Sequence, residues 1–172
     1  MTTQNHQETS RPKQWATRSR IGLIFAIALL SAAGVALAAK AKSGGGSLKG
    51  TVTLTPLVGG LVGMQVDVGG NVTHLGRSSV HIDSIADFSG TDPQPVPPTT
   101  GVITAANGDT ISFVLKWTVG EITPGVFDVI GPFDVTGGTG RFRAVTGGGD
   151  YHGLVDTITG AVSAEISGSI LP

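Results

Sequence analysis

From Leu48 onward the chain places apolar residues at alternate positions, the two-residue period of a strand with one buried face. Between Leu48 and Thr55, Leu48, Gly50, Val52 and Leu54 share one face, and Lys49, Thr51, Thr53 and Thr55 the other. Ile111, Phe113, Leu115, Trp117 and Val119 form a second row. Val162, Ala164, Ile166 and Ile170 form a third, set against Ser163, Glu165, Ser167 and Ser169. No stretch after residue 47 reads convincingly as a helix, so the fold class is all-β. Asn107-Gly108-Asp109 joins "GVITAA" (101–106) to "TISFVLKWTV" (110–119), and Asn-Gly readily takes the positive φ angles of a hairpin turn. Thr159-Gly160 likewise turns "HGLVDTI" into the last strand. Seven or eight strands with such short connections make antiparallel neighbours.

Glycine shapes the rest. All but two of the 27 glycines follow Ala38, close to one residue in five there, against a usual ~7%. They keep no triplet period, which excludes collagen, and they cluster at strand ends. "VTHLGRSSVHIDSIADF" (72–88) reads as one long bent strand or two short ones, with Gly76 a candidate bulge. "TDPQPVPPT" (91–99) holds four prolines and is expected to form a surface loop, because proline cannot donate to a central ladder. There is no cysteine, so the core alone must hold the domain.

The amino-terminal region reads differently. "RPKQWATRSR" (11–20) carries four basic residues and precedes an uncharged apolar run, Ile21 to Ala39; Ala36-Leu37-Ala38 supplies an A-x-A site. Basic, apolar and small-residue segments in that order make residues 1–38 a secretory signal peptide. The alternative is an uncleaved anchor over 21–39, since the run approaches the ~20 residues that span a bilayer. Either way the remainder lies outside the cytoplasm: secreted, periplasmic or in the cell envelope, or membrane-anchored with the domain outside. Residues 39–47, "AKAKSGGGS", read as a flexible tether, and 48–172 as the domain.

After Ala38 the chain carries seven basic and eleven acidic residues, a net charge of −4. A nucleic-acid partner needs a concentrated basic face, and no basic run with interleaved aromatics exists. The glycine-rich "GGTGRFRAVTGGG" (137–149) invites a phosphate-binding reading that its details refuse. A P-loop needs Lys and Ser/Thr after its last glycine, but Arg141-Phe142 follow Gly140, and Arg143 stands where a dinucleotide fingerprint needs glycine. No helix offers an N-terminus there. The segment reads as a structural turn on Gly137, Gly138 and Gly140, with Phe142 plugging a barrel end. Arg141 and Arg143 are expected to point away from Phe142, towards solvent or a carboxylate such as Asp150.

No catalytic residues emerge. There is no G-x-S-x-G elbow, and Asp128 and Asp134 read as solvated acids around a bend. His74 and His81, seven apart, face opposite ways on an unbroken strand, whereas His81 and Asp83 share a face. No metal site and no cofactor follow from these residues.

The alternation alone fits a two-sheet sandwich or a closed barrel. "GGTGRFRAVTGGG", "THLG" (73–76) and "AANGD" (105–109) together resemble segments of dirigent and allene oxide cyclase-like proteins, including uncharacterised secreted bacterial ones. The resemblance implies an antiparallel barrel of about eight strands with a central cavity, and it suggests homo-oligomers. It carries over no catalytic residue. The expected function is that of an exported barrel that binds a small apolar ligand or has a structural role in the envelope. The alternative is an allene oxide cyclase-like or dirigent-like activity on a hydrophobic substrate. His74 and Tyr151 are the candidate ligand-binding residues.

Overall fold

The first half of the described chain is a run of hairpins. Residues 40–90 and 92–171 are described in this computed structural model. The strands are β1 (Lys42–Pro56), β2 (Leu61–Val72), β3 (Gly76–Asp87), β4 (Gln94–Thr104) and β5 (Thr110–Leu115), followed by β6 (Thr118–Thr123), β7 (Val126–Gly138), β8 (Thr146–Asp156) and β9 (Ala161–Leu171). The apolar run 21–39, and with it the signal-peptide and anchor expectations, lies outside the described residues.

Every pairing is antiparallel. β1 to β5 pair in sequence order, as do β6 to β9. Two further pairings close the sheet. β1 meets β9, with Lys42 opposite Ile170 and Thr51 opposite Ala161, and β5 meets β7, with Leu115 opposite Phe133. β5 and β6 succeed one another along the same flank of β7, interrupted at Lys116-Trp117, so they fill one position between them. The product is a closed antiparallel barrel of eight positions, not a sandwich.

The three rows read from sequence are the inward rows. Leu48, Val52, Ile111, Phe113, Leu115, Trp117, Val162 and Ala164 are buried, while Lys49, Thr51, Thr53, Ser163 and Glu165 face out. A membrane barrel presents an apolar band outward; here the buried apolar rows point in and the outward rows of β1 and β9 are polar, although Val102, Ile130 and Leu154 are exposed on other strands.

Three expectations need correction. The stretch 39–47 is not a tether beyond Lys42: β1 begins there, and Gly44, Gly45 and Gly46 pair with Gly168, Ser167 and Ile166 of β9. A Cβ on Gly45 would stand 2.7 Å from the Ile166 carbonyl oxygen. The glycines therefore permit close backbone packing, a strand role that a flexibility reading overlooks. The proline segment is also mostly strand. Gln94, Pro95 and Val96 pair with Asp87, Ala86 and Ile85, and the register shift between Asp83 and Ile85 leaves Pro97 and Pro98 in an irregularity where no ladder donor is needed. Gly76 is not a bulge. It opens β3 at φ 78 after the Thr73–Leu75 turn, opposite Val72.

Trp117 sits at the break between β5 and β6. Its indole Nε1 donates to Thr99 Oγ1 at 3.0 Å, and Thr99 Oγ1 shares a 2.8 Å hydrogen bond with Ser84 Oγ. This ties the interrupted strand to β4 and β3. Trp117→Phe should cost about 1 kcal/mol, the net worth of one neutral hydrogen bond, because Thr99 keeps Ser84 as a partner. A lowered urea midpoint at unchanged m-value is the expected reading.

Candidate functional site

Turns gather at two ends of the barrel. At one end lie the start of β1, the β2–β3 turn (Thr73–Leu75), the β4–β5 turn (Ala105–Asp109), the β7–β8 connection (Thr139–Val145) and the end of β9. This end opens into an apolar mouth with a cavity of about 50 Å3. Lys42 and His74 stand at its rim, and Val72, Leu75, Ile111 and Val135 line it. Ile103, Phe133 and Ile166 line both the mouth and a second space deeper in the barrel, so they form the floor between the two.

That deeper space measures about 10 Å3 and is bounded by Leu48, Val68, Val80, Phe113 and Tyr151, among others. It has room for roughly one water. The barrel's middle is therefore filled by its own side chains, without the open central cavity that the sequence resemblance implies.

His74 and Tyr151 are not brought together. His74 lies in the β2–β3 turn at φ 67, a left-handed conformation that costs a non-glycine residue roughly 1–2 kcal/mol. Tyr151 belongs to the deeper space, and its ring covers Gly153, where a Cβ would meet the ring carbon Cζ at 2.6 Å. Burial pushes the Tyr151 phenol up to about 12. The folded state favours the neutral phenol, so stability linked to it is complete below pH ~10, the unfolded value, and is lost as pH rises towards the folded one. Tyr151 is the only tyrosine in the chain, so one phenolate absorbance titration checks this directly. A midpoint near 12 in the folded protein, falling to ~10 in denaturant, is the expected result.

The glycine-rich segment forms a 3-10 turn, Gly140–Phe142, with Phe142 buried beneath it. Gly137 and Gly138 end β7, and a Cβ on Gly138 would lie 2.8 Å from the Phe142 carbonyl oxygen. Gly140 has φ 54, and a Cβ there would collide with the Asp109 carboxylate. Arg141 does not point away from Phe142. Its guanidinium carbon lies 4.6 Å from the centroid of that ring, because the backbone here is helical rather than strand-like. Its carboxylate is Asp109, not Asp150: Nε stands 3.9 Å from Asp109 Oδ2. Nη2 also donates to the His74 carbonyl at 3.3 Å.

Asp109 draws the mouth's loops together. It accepts from the Arg141 backbone N–H at 3.2 Å and from Asn107 Nδ2 at 2.7 Å, and these bonds hold its carboxyl below the usual range. The signal for this role was the Asn-Gly-Asp triplet, of which the turn reading used only the Asn-Gly pair.

The other two histidines among the described residues, His81 and His152, lie on the outer wall. His81 Nδ1 meets Asp67 Oδ1 at 2.7 Å and Nε2 meets Asp83 Oδ2 at 3.2 Å. The hydrogen bond to Asp67 above all raises the imidazole pKa. His152 Nε2 lies 2.7 Å from Asp128 Oδ1. His81 and Asp83 share a face, as their spacing requires, but both imidazoles stay far from the mouth's lining. No protein-family model, curated protein or solved structure matches this chain.

Proposed function

We propose that this protein is an exported structural barrel of the cell envelope. The filled interior is the observation that carries the reading. Small-molecule pockets occupy ~300–1,000 Å3, whereas the two spaces inside this barrel are about 50 and 10 Å3, and the larger depressions are open ones on the outer wall. Eight-strand barrels either hold one ligand or are filled by their own side chains, and Leu48, Val68, Phe113 and Tyr151 fill this one. Export rests on the basic, apolar and A-x-A succession of residues 11–38. The polar outward rows of β1 and β9 suit an aqueous compartment, and the dirigent and allene oxide cyclase-like segments support the barrel lineage without an inherited activity.

A second reading has one observation in its favour. The mouth is lined almost wholly by aliphatic and aromatic groups with His74 at its rim, so a slim apolar ligand, or a hydrophobic substrate of a cyclase-like reaction, has a place to enter. Native mass spectrometry of the protein purified from its own host separates the two. A bare chain that begins at Ala39, together with no binding of an apolar dye, is the result expected of a scaffold. A co-purifying small molecule would replace that reading with a carrier or an enzyme.

A further inference from the structure

The two ends of the barrel differ in charge and shape. Among the described residues, Lys40, Lys42, Arg77, Arg141 and Arg143 lie at the mouth, against the single acid Asp109. The opposite end is built from the turns that follow β1, β3, β6 and β8. Among the described residues it carries Asp87, Asp92, Glu121 and Asp156 and no basic side chain. Asp87 and Asp156 accept backbone N–H groups of their own turns, from Ser89 at 2.8 Å and from Ile158 at 2.9 Å, which keeps both ionised.

That acidic end also exposes apolar tips. Val58 is 93% exposed, Ile158 77% and Ile122 58%. Val58 and Ile158 stand on separate turns of the same end and Ile122 near the end of β6, and Ile158 lies over Gly125 in the neighbouring turn. An anionic membrane surface would be repelled by the four carboxylates. The mouth, conversely, is an apolar depression of about 50 Å3 inside a basic rim, a size that suits one aliphatic side chain and not a drug-sized molecule.

We propose that the barrels stack end on end, with the acidic, apolar-tipped end of one copy seated on the basic apolar mouth of the next. Val58 is the knob and the mouth its socket, while the four carboxylates face the basic rim. This rests on the scaffold reading, in that the mouth receives protein and not a ligand. The contact joins two different surfaces, so each added copy leaves one of each free. Such a heterologous contact, unless it closes into a ring, grows into an open chain. Opposed charges at the contact set register and orientation more than raw affinity.

The absence of native cysteine makes the test clean. Val58→Cys and Thr73→Cys are introduced singly and together in the full chain, expressed in its exporting host. Intact cells are treated with a short thiol–thiol cross-linker. The two positions lie at opposite ends of one barrel, so a link between them must join two copies. The double variant should give a ladder of dimers, trimers and higher species, and co-expressed single variants a dimer only. Ile158→Cys with Thr73→Cys is a second pair that should reproduce the ladder.

Doubles of both pairs that remain monomeric would overturn the proposal. So would dimers formed as readily by Val58→Cys alone, since those report a symmetric end-to-end contact. The failure of the scaffold reading looks different: a small molecule co-purifies and the mouth is occupied. A bare protein without a ladder removes the stacking and leaves the scaffold standing.

Discussion

Replacing Phe142 with alanine should lower the unfolding free energy by about 3–5 kcal/mol, the usual cost of removing a buried aromatic ring. Phe142 is the only residue of the Gly140–Phe142 turn that is buried. In the Thr139–Val145 connection only Val145 is a further buried apolar residue, and the two neighbouring turns at the mouth hold the segment by polar contacts from His74 and Asp109. Arg141→Ala should cost far less, ~1 kcal/mol or below, because that side chain is half-exposed over the ring. Denaturant unfolding of the two variants side by side checks the ranking. Equal losses would mean that the turn is held by the Arg141–Asp109 contact, and that the phenylalanine is incidental.

Gly50→Ala should also be costly, at the upper end of the ~1–3 kcal/mol typical of overpacking. In an ordinary strand the change is mildly favourable, since glycine weakens strand interiors. Here the added methyl would collide with the Asp67 carbonyl oxygen and stand 2.7 Å from the Val68 Cα, both main-chain atoms of β2. Relief requires β1 and β2 to separate, with loss of ladder hydrogen bonds. Gly120 in β6 is the control, because a Cβ there meets nothing within 4 Å. Gly120→Ala should stay within ~0.5 kcal/mol of the parent protein. Thermal melts that show the two alanine variants alike would remove close packing as the reason for glycine at residue 50.

The inward rows were legible because alternation is a local property. Ile111 to Trp117 faces the core for the same reason that its side chains alternate in sequence. Closure was not legible in this way. Nothing near Lys42 announces that its strand will lie beside Ile170, and a glycine triplet at the edge of a polar stretch looks the same whether it is slack or tightly paired. The proline segment misled for a related reason: prolines exclude a regular ladder, but Pro97 and Pro98 occupy the one irregularity of β4, which only the partner strand's register defines. Arg141 needed the local backbone, since a 3-10 turn brings neighbouring side chains together where a strand separates them. The size of the mouth depends on packing across eight strand positions and has no local sign at all. Tyr151 and His74 were both plausible lining residues, yet Phe133, Ile103 and Ile166 stand between them.

The pairing of β1 with β9 has a consequence for how the molecule comes into being. A chain is made from its amino terminus, so β1 is complete more than a hundred residues before its second partner exists. Until Ala161–Leu171 has been added, one flank of β1 and one flank of β8 are open edges, the kind of surface that recruits strands from other chains. Loss of Ala161–Leu171 would therefore not yield a slightly smaller barrel. It would yield a sheet with two unpaired margins. The final strand is the seam on which solubility of the whole depends, and contacts so distant in sequence form slowly, which lengthens the interval of exposure in every molecule made.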